Sequence, residues 1–206
     1  MGATGPAPRS HFTLHCWRDR RNISIKPARG AASKGDRLVF TLILGGARSG
    51  KSRQAEALVT ALPPPWVYVA TATAGDAEMA ARIAAHRAAR GAGWRTAEAP
   101  RDLPAALGDA GDAPVLVDCL TLWLSNVMLT GGDVAASRTA LLAALAARRA
   151  PTVLVGNEVG LGIVPDNALA RAFRDEAGRL HQALAARAGR VLFMVAGLAI
   201  TVKDEA

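Results

Sequence analysis

Cysteine is scarce in this 206-residue chain: it occurs only as Cys16 and Cys119. Two are too few for a disulfide framework, and they lack the C-x-x-C spacing of a metal or redox site, so a reducing cytoplasm is the expected location. Long apolar runs are missing too. Leu38 to Leu44 and Val191 to Ile200 are strand-sized, short of the ~18 to 20 residues that cross a bilayer, which argues against a membrane role. No apolar core of the kind a secretory signal needs stands near the start. There is no internal repeat, no low-complexity segment beyond an alanine bias, and no N-K-x-D motif of the kind by which a Ras-like switch reads guanine. His11, His15 and His181 form no metal-ligand spacing with Cys or a carboxylate and are read as structural or incidental.

Half of the residues are apolar, which implies a globular chain with enough length for one α/β domain and a substantial core. The net charge of +8 would suggest a nucleic-acid partner, but its distribution argues otherwise. Residues 1–37 hold eight Lys and Arg against Asp19 and Asp36, a net of +6, which leaves +2 for residues 38–206. The leader shows no sustained period and mixes Pro, Gly, Ser and Arg, so it is expected to be poorly ordered, as a dispensable tail or a misassigned start. Residues 38–206 are expected to form the functional domain, with no nucleic-acid partner.

From Leu38 on, short β-rich runs alternate with alanine-rich helical stretches. Strands are predicted at Leu38–Leu44, Trp66–Ala70, Trp94–Ala97, Val115–Asp118, Thr152–Gly156 and Val191–Val195. Helices are predicted at Lys51–Ala61, Asp76–Arg90, Arg101–Ala110, Leu120–Leu129, Asp133–Arg149 and Asp166–Ala188. In the last, Leu169, Phe173, Ala177, Leu180, Leu184 and Ala188 repeat on one helical face. Apolar strands without clean alternation, separated by helices, imply an α/β fold with a mostly parallel sheet covered on both faces.

The first strand runs into Gly45-Gly46-Ala47-Arg48-Ser49-Gly50-Lys51-Ser52, a G-x-x-x-x-G-K-S phosphate-binding loop followed by a helical stretch. Its glycines let backbone N–H groups turn toward phosphate oxygens, and the helix adds free amides and the positive end of its dipole. Lys51 is expected to reach the β- and γ-phosphates, and the Ser52 hydroxyl to ligate Mg²⁺. Val115–Asp118 ends in a carboxylate, the form of a second Mg²⁺-organising acid, and should point into the same crevice. Taken alone, a surface Asp at a strand end reads equally well.

Thr71-Ala72-Thr73 follows the second strand on the ligand side of the sheet, where small hydroxyls suit phosphate or ribose contact and an ordinary polar turn is as plausible. His86 lies on one helical face with Arg82 and Met79. A neutral imidazole is a fitting nucleophile for nucleotidyl transfer, although composition alone favours a solvated surface residue. Gly156 to Pro165 reads as a shaped, glycine-interrupted loop carrying Asn157 and Glu158. Two further readings stand beside an enzyme using both Lys51 and His86: a P-loop small-molecule kinase with no use for His86, and a non-catalytic nucleotide-binding protein.

The motifs GGARSGKS, VYVATA, EMAARIAAHR, WRTAEAP, DCLTLW, NEVGLGIVP and RAFRDEAGRL, in this order over residues 38–203, resemble those of the bifunctional adenosylcobinamide kinase / adenosylcobinamide-phosphate guanylyltransferase family of cobalamin biosynthesis. The resemblance implies a RecA-like P-loop domain, a homotrimer, GTP as nucleotide with ATP as an alternative for the kinase step, and a corrinoid substrate. It implies phosphorylation of adenosylcobinamide followed by transfer of GMP through a guanylylated histidine, which falls on His86. Nucleotide contacts would fall on Gly45 to Ser52, on Thr71, Ala72 and Thr73, on Arg87, Ala88, Ala89 and Arg90, and on Glu98 and Asp118. The chain departs from the pattern at His181, where Asn is common, and at Gly156, where Ser or Thr is common. It departs again at residues 195–203, in place of an S-G-L-P-type ending.

Overall fold

The computed structural model describes residues 38–73, 88 and 90–205. The leader, most of the helix expected over Asp76–Arg90, and His86, Arg87 and Ala89 lie outside the described residues.

Seven strands form one sheet among the described residues: β1 (Leu38–Gly45), β2 (Trp66–Ala70), β3 (Trp94–Glu98), β4 (Val115–Asp118), β5 (Thr152–Asn157), β6 (Ala188–Val195) and β7 (Leu198–Asp204). Their order is β3-β2-β4-β5-β1-β6-β7. Every neighbouring pair is parallel except β6 and β7, which form an antiparallel hairpin. Among the described residues five helices connect or flank them: α1 (Lys51–Thr60), α2 (Leu103–Asp109), α3 (Leu120–Leu129), α4 (Val134–Ala147) and α5 (Ala168–Arg187).

The apolar strands read as continuous runs because both faces are covered. Along β1, Phe40 and Leu42 join a core with Leu103, Leu120, Trp123, Leu141 and Leu180 of α2 to α5. Ile43, pointing the other way, joins Ala55 and Val59 of α1 with Leu116 and Val155. Each fully buried Leu or Ile contributes roughly 1.5 to 3 kcal/mol.

Three of the five described helices start on a side-chain cap. Asp102, Asp133 and Asn167 accept from the backbone N–H of Ala105, Ala136 and Ala170, satisfying amides that the first turn leaves free. The last helix therefore begins at Ala168 rather than Asp166, and it ends at Arg187, because Ala188 already opens β6. Its apolar face is buried at Ala177, Leu180 and Leu184, but Leu169 is 57% exposed: the periodicity continues past the point where the sheet lies beneath it. The strand β7 was not anticipated. Its seven residues are almost all exposed, so it carries no burial pattern; it is held by pairing with β6 and by the Lys203 ammonium, which donates to the carbonyls of Ala185 and Ala186 in α5.

At the amino ends of β4 and β5 one side chain fastens several segments. The Arg148 guanidinium donates to the carbonyls of Leu107 (2.5 Å), Gly111 (3.0 Å) and Ala113 (2.8 Å) and to the Thr152 hydroxyl (3.0 Å). The sequence placed Arg148 only near the end of a helix; its side chain is the pin between α2, the turn before β4, and β5.

Candidate active site: the P-loop cleft

At the carboxyl ends of the parallel strands, β1 runs into a tight loop. Gly45 has φ 153°, and a Cβ there would lie 2.5 Å from the Met194 carbonyl oxygen and 2.8 Å from Ser49 Oγ, so no other residue fits. Arg48 (φ 55°) and Gly50 (φ 95°) take left-handed conformations, the curl that turns successive N–H groups toward one point. α1 begins at Lys51, aiming its free amides and positive dipole end at the same place. Two contacts brace the loop from outside: the Glu158 N–H donates to the Gly45 carbonyl (2.9 Å), and the Gly197 N–H to the Ser49 carbonyl (3.0 Å). The β6–β7 turn, which sequence reasoning passed over, thus supports the phosphate loop.

Lys51 is buried, at 7% exposure. Its ammonium donates to the Gly46 carbonyl (2.6 Å) and lies 3.5 Å from Ser49 Oγ, both neutral acceptors. Burial pulls its pKa down, and the charges of Cys119 and Asp118 partly oppose this. A desolvated cation held by neutral acceptors beside a nest of N–H groups is arranged to receive an anion.

One residue further, the Ser52 hydroxyl donates to Asp118 Oδ2 (2.8 Å), and the Tyr68 phenol donates to the same oxygen (3.2 Å). Burial, then the Asp118 charge, raises the Tyr68 pKa, so the phenol stays a proton donor. The Arg90 guanidinium lies 3.6 Å over the Tyr68 ring. Around these groups is a cleft of about 850 Å³, lined by the loop, Ala70, Ala72, Asn157 and Leu122, within the size range of small-molecule sites. No group of three His, Cys, Asp or Glu able to hold a metal occurs among the described residues. Ser52 and Asp118 nevertheless offer the hydroxyl and carboxylate oxygens that suit Mg²⁺, which takes few protein ligands and completes its shell with phosphate and water.

The residues expected at the site fall into three groups. Ala47 to Ser52, Ala72, Arg90 and Asp118 line the cleft, while Gly45 and Gly46 make the turn that leads into it without lining it. Thr71 does not offer its hydroxyl: fully buried, it accepts from the Cys119 N–H and donates to the Cys119 carbonyl, both at 2.7 Å, tying the end of β2 to the end of β4. Thr73 is exposed. Glu98, the last residue of β3, lines a separate groove of about 790 Å³ with Arg101 and Thr130. His86, Arg87 and Ala89 lie outside the described residues, and Ala88 is helical and exposed. Tyr68 was missed because a tyrosine inside an apolar strand reads as core. Asn157 was noted only for its loop; its amide donates to Thr121 Oγ1 (3.1 Å) at the rim.

One strand, β5, separates the P-loop strand β1 from β4 with its terminal Asp118; the class so defined is a RecA-like P-loop nucleotide-binding domain. A solved ATPase domain is similar at 13% identity, with a TM-score of 0.46 over 82% of this chain and 78% of that one. Residues 41–202 match the model of the cobinamide kinase / cobinamide phosphate guanyltransferase family, CobU. The bifunctional adenosylcobalamin biosynthesis protein CobP of Pseudomonas aeruginosa is 52% identical over 168 residues, covering 80% of this chain and 97% of that protein. The bifunctional adenosylcobalamin biosynthesis protein CobU of Salmonella typhimurium is 45% identical over 182 residues, covering 80% of this chain and all of that protein. The chain belongs to this family, the bifunctional cobinamide kinases and cobinamide phosphate guanylyltransferases of adenosylcobalamin biosynthesis.

Proposed function

We propose that the chain uses one P-loop cleft for two successive reactions. In the first, the aminopropanol hydroxyl of adenosylcobinamide attacks the γ-phosphorus of GTP or ATP, giving adenosylcobinamide phosphate and the nucleoside diphosphate. In the second, a ring nitrogen of His86 attacks the α-phosphorus of GTP and pyrophosphate leaves. The phosphate of the corrinoid then takes GMP from the histidine, the N–P bond breaks, and adenosyl-GDP-cobinamide results. The observation that carries the reading is the set of Lys51, Ser52 and Asp118 at the mouth of the loop.

The loop amides and Lys51 bind and orient the triphosphate, and Lys51 offsets negative charge as it shifts toward the leaving oxygen. Ser52 and Asp118 would hold Mg²⁺, which when bound neutralises phosphate charge. Support for His86 comes from its neighbour four residues on: Arg90 lines the same cleft, where with Arg87 it would attract the nucleotide. Thr73 and Glu98 would meet the nucleotide from the ends of the neighbouring strands. A homotrimer acting in the cytoplasm fits the exposed apolar side chains of Leu198 (72%) and Ile200 (51%) on β7 and of Leu161 (81%) and Ile163 (97%) on the loop before α5. No helix among the described residues is long and apolar enough to cross a membrane.

Incubation with GTP labelled at the α-phosphate tests the second reaction. The protein should acquire label that survives alkali and is lost in acid, as a phosphoramidate is, and His86→Asn should acquire none while still phosphorylating adenosylcobinamide. Equal labelling of the Asn variant would remove His86 from the mechanism.

A further inference from the structure

Tyr68 occupies the middle of β2 and is buried, yet its polar end is placed in the cleft rather than in the core. Its hydroxyl reaches Asp118 Oδ2 at 3.2 Å, the oxygen that Ser52 also engages at 2.8 Å, so two donors fix one carboxylate oxygen. A carboxylate can accept about four hydrogen bonds, which leaves its second oxygen for other work. The opposite resource of the same side chain, its ring face, carries the Arg90 guanidinium at 3.6 Å. Arg90 Nη1 is buried and has no hydrogen-bond partner among the described residues, so the guanidinium is seated by one face with this one amino group left unpaired. The ring is itself held edge-on by Trp94, at 6.1 Å and 79°, and Trp94 in turn packs against Trp66 at 5.4 Å with the two rings tilted by 49°. Filling the core would need only a phenyl ring. Hydroxyl and face together join the carboxylate and the cation that flank the phosphate loop.

We propose that Tyr68 is a positioning residue for the nucleotide: its hydroxyl orients Asp118 toward the metal-bearing side of the cleft, and its ring seats Arg90 so that its free amino group meets the nucleotide anion. This rests on the reading of the cleft as the GTP site. The two halves of the role separate by chemistry. Tyr68→Phe removes the hydroxyl and keeps the seat, Arg90→Ala removes the cation and keeps the hydroxyl, and Tyr68→Leu removes both functions of the ring.

The test is equilibrium binding of GTP to the full chain, in EDTA and across a Mg²⁺ series, with melting temperature followed in parallel. Tyr68→Phe should bind GTP in EDTA as the wild type does but need about tenfold more Mg²⁺ for half of the Mg²⁺-dependent gain, the size of a lost hydrogen bond to a charged group. Arg90→Ala should bind GTP about tenfold more weakly in EDTA with its Mg²⁺ midpoint unchanged, and Tyr68→Leu should show both defects. A purely structural tyrosine would lower the melting temperature and leave the Mg²⁺ midpoint where it was. An unchanged midpoint in Tyr68→Phe, or unchanged EDTA affinity in Arg90→Ala, overturns the proposal even if Tyr68→Leu fails to fold. Absence of GTP binding by the wild type in either condition would instead overturn the reading of the cleft on which it rests.

Discussion

Two cations are carried into opposite ends of one sheet, and their surroundings differ in kind. At the amino ends of β4 and β5, Arg148 meets three carbonyls and a hydroxyl that point at its donors. At the carboxyl end of β1, Lys51 has one close carbonyl and a hydroxyl 3.5 Å away, with amides rather than acceptors converging beside it. Burial lowers the pKa of both. The arginine's environment is supplied by the fold and holds segments together, whereas the lysine's leaves room for the anion that the proposed function requires. The same contrast runs through the backbone: left-handed Arg48 and Ala196 both lie at the carboxyl end, one in the P-loop and one in the turn that braces it.

The largest effect that would sharpen this contrast is on catalysis. Lys51→Ala should slow both reactions on the order of 100-fold, the loss of about 3 kcal/mol of charge stabilisation, with no fall in melting temperature. Next comes Arg148→Ala, which strands the part-buried carbonyls of Leu107 and Ala113 and should reduce unfolding free energy by about 2 to 4 kcal/mol, measured by urea unfolding. Turnover per folded molecule should stay that of the wild type. If instead Arg148→Ala abolished turnover while stable, or Lys51→Ala unfolded the protein, the division between the two ends would be broken.

A smaller effect tests a junction between them. A Cβ at Gly156 would lie 2.8 Å from His181 Nε2 and 3.0 Å from Leu44 Cδ2, so the two departures noted separately in the sequence, Gly156 and His181, are one packing arrangement. Gly156→Ser should cost about 1 to 3 kcal/mol. In the His181→Asn background it should cost distinctly less, a coupling of about 1 kcal/mol; strict additivity would show that the ring does not occupy the space the glycine leaves.

The smallest effect is on pH dependence. Burial holds the His181 pKa below the ordinary histidine range, with Glu158 partly opposing. The unfolded chain takes up that proton near pH ~6.5 and the folded chain only at lower pH. The contribution is therefore complete above that value and is lost as pH falls toward the folded pKa. Stability of His181→Asn should fall less between pH 7 and 5 than that of the wild type, and parallel curves would remove His181 as a source of the slope.

Much of the carboxyl end was legible because its signals are local. The loop from Gly45 to Ser52 contains its own geometry, and a strand ending in Asp118 needs only strand direction to reach the same crevice. What escaped depends on pairs distant in sequence. Arg148 carried no signal beyond its place near a helix end, since nothing near it names Leu107 and Ala113 as acceptors. Thr71 looked free until β4 brought the Cys119 backbone to its hydroxyl. Tyr68 and Asp118 lie fifty residues apart, and β7, exposed on both faces, carries no core pattern to read. Leu169 erred the other way, continuing a helical stripe beyond the surface that would bury it.

The central claim is that Lys51 waits for an anion that Arg148 does not need. It is tested most directly by the rise in melting temperature on adding GTP with Mg²⁺ at about a hundred times its dissociation constant for the wild type. Wild type and Arg148→Ala should each gain on the order of 5 to 10 °C over their own unliganded values, and Lys51→Ala should gain almost nothing at the same concentration. An equal gain in Lys51→Ala would contradict the account.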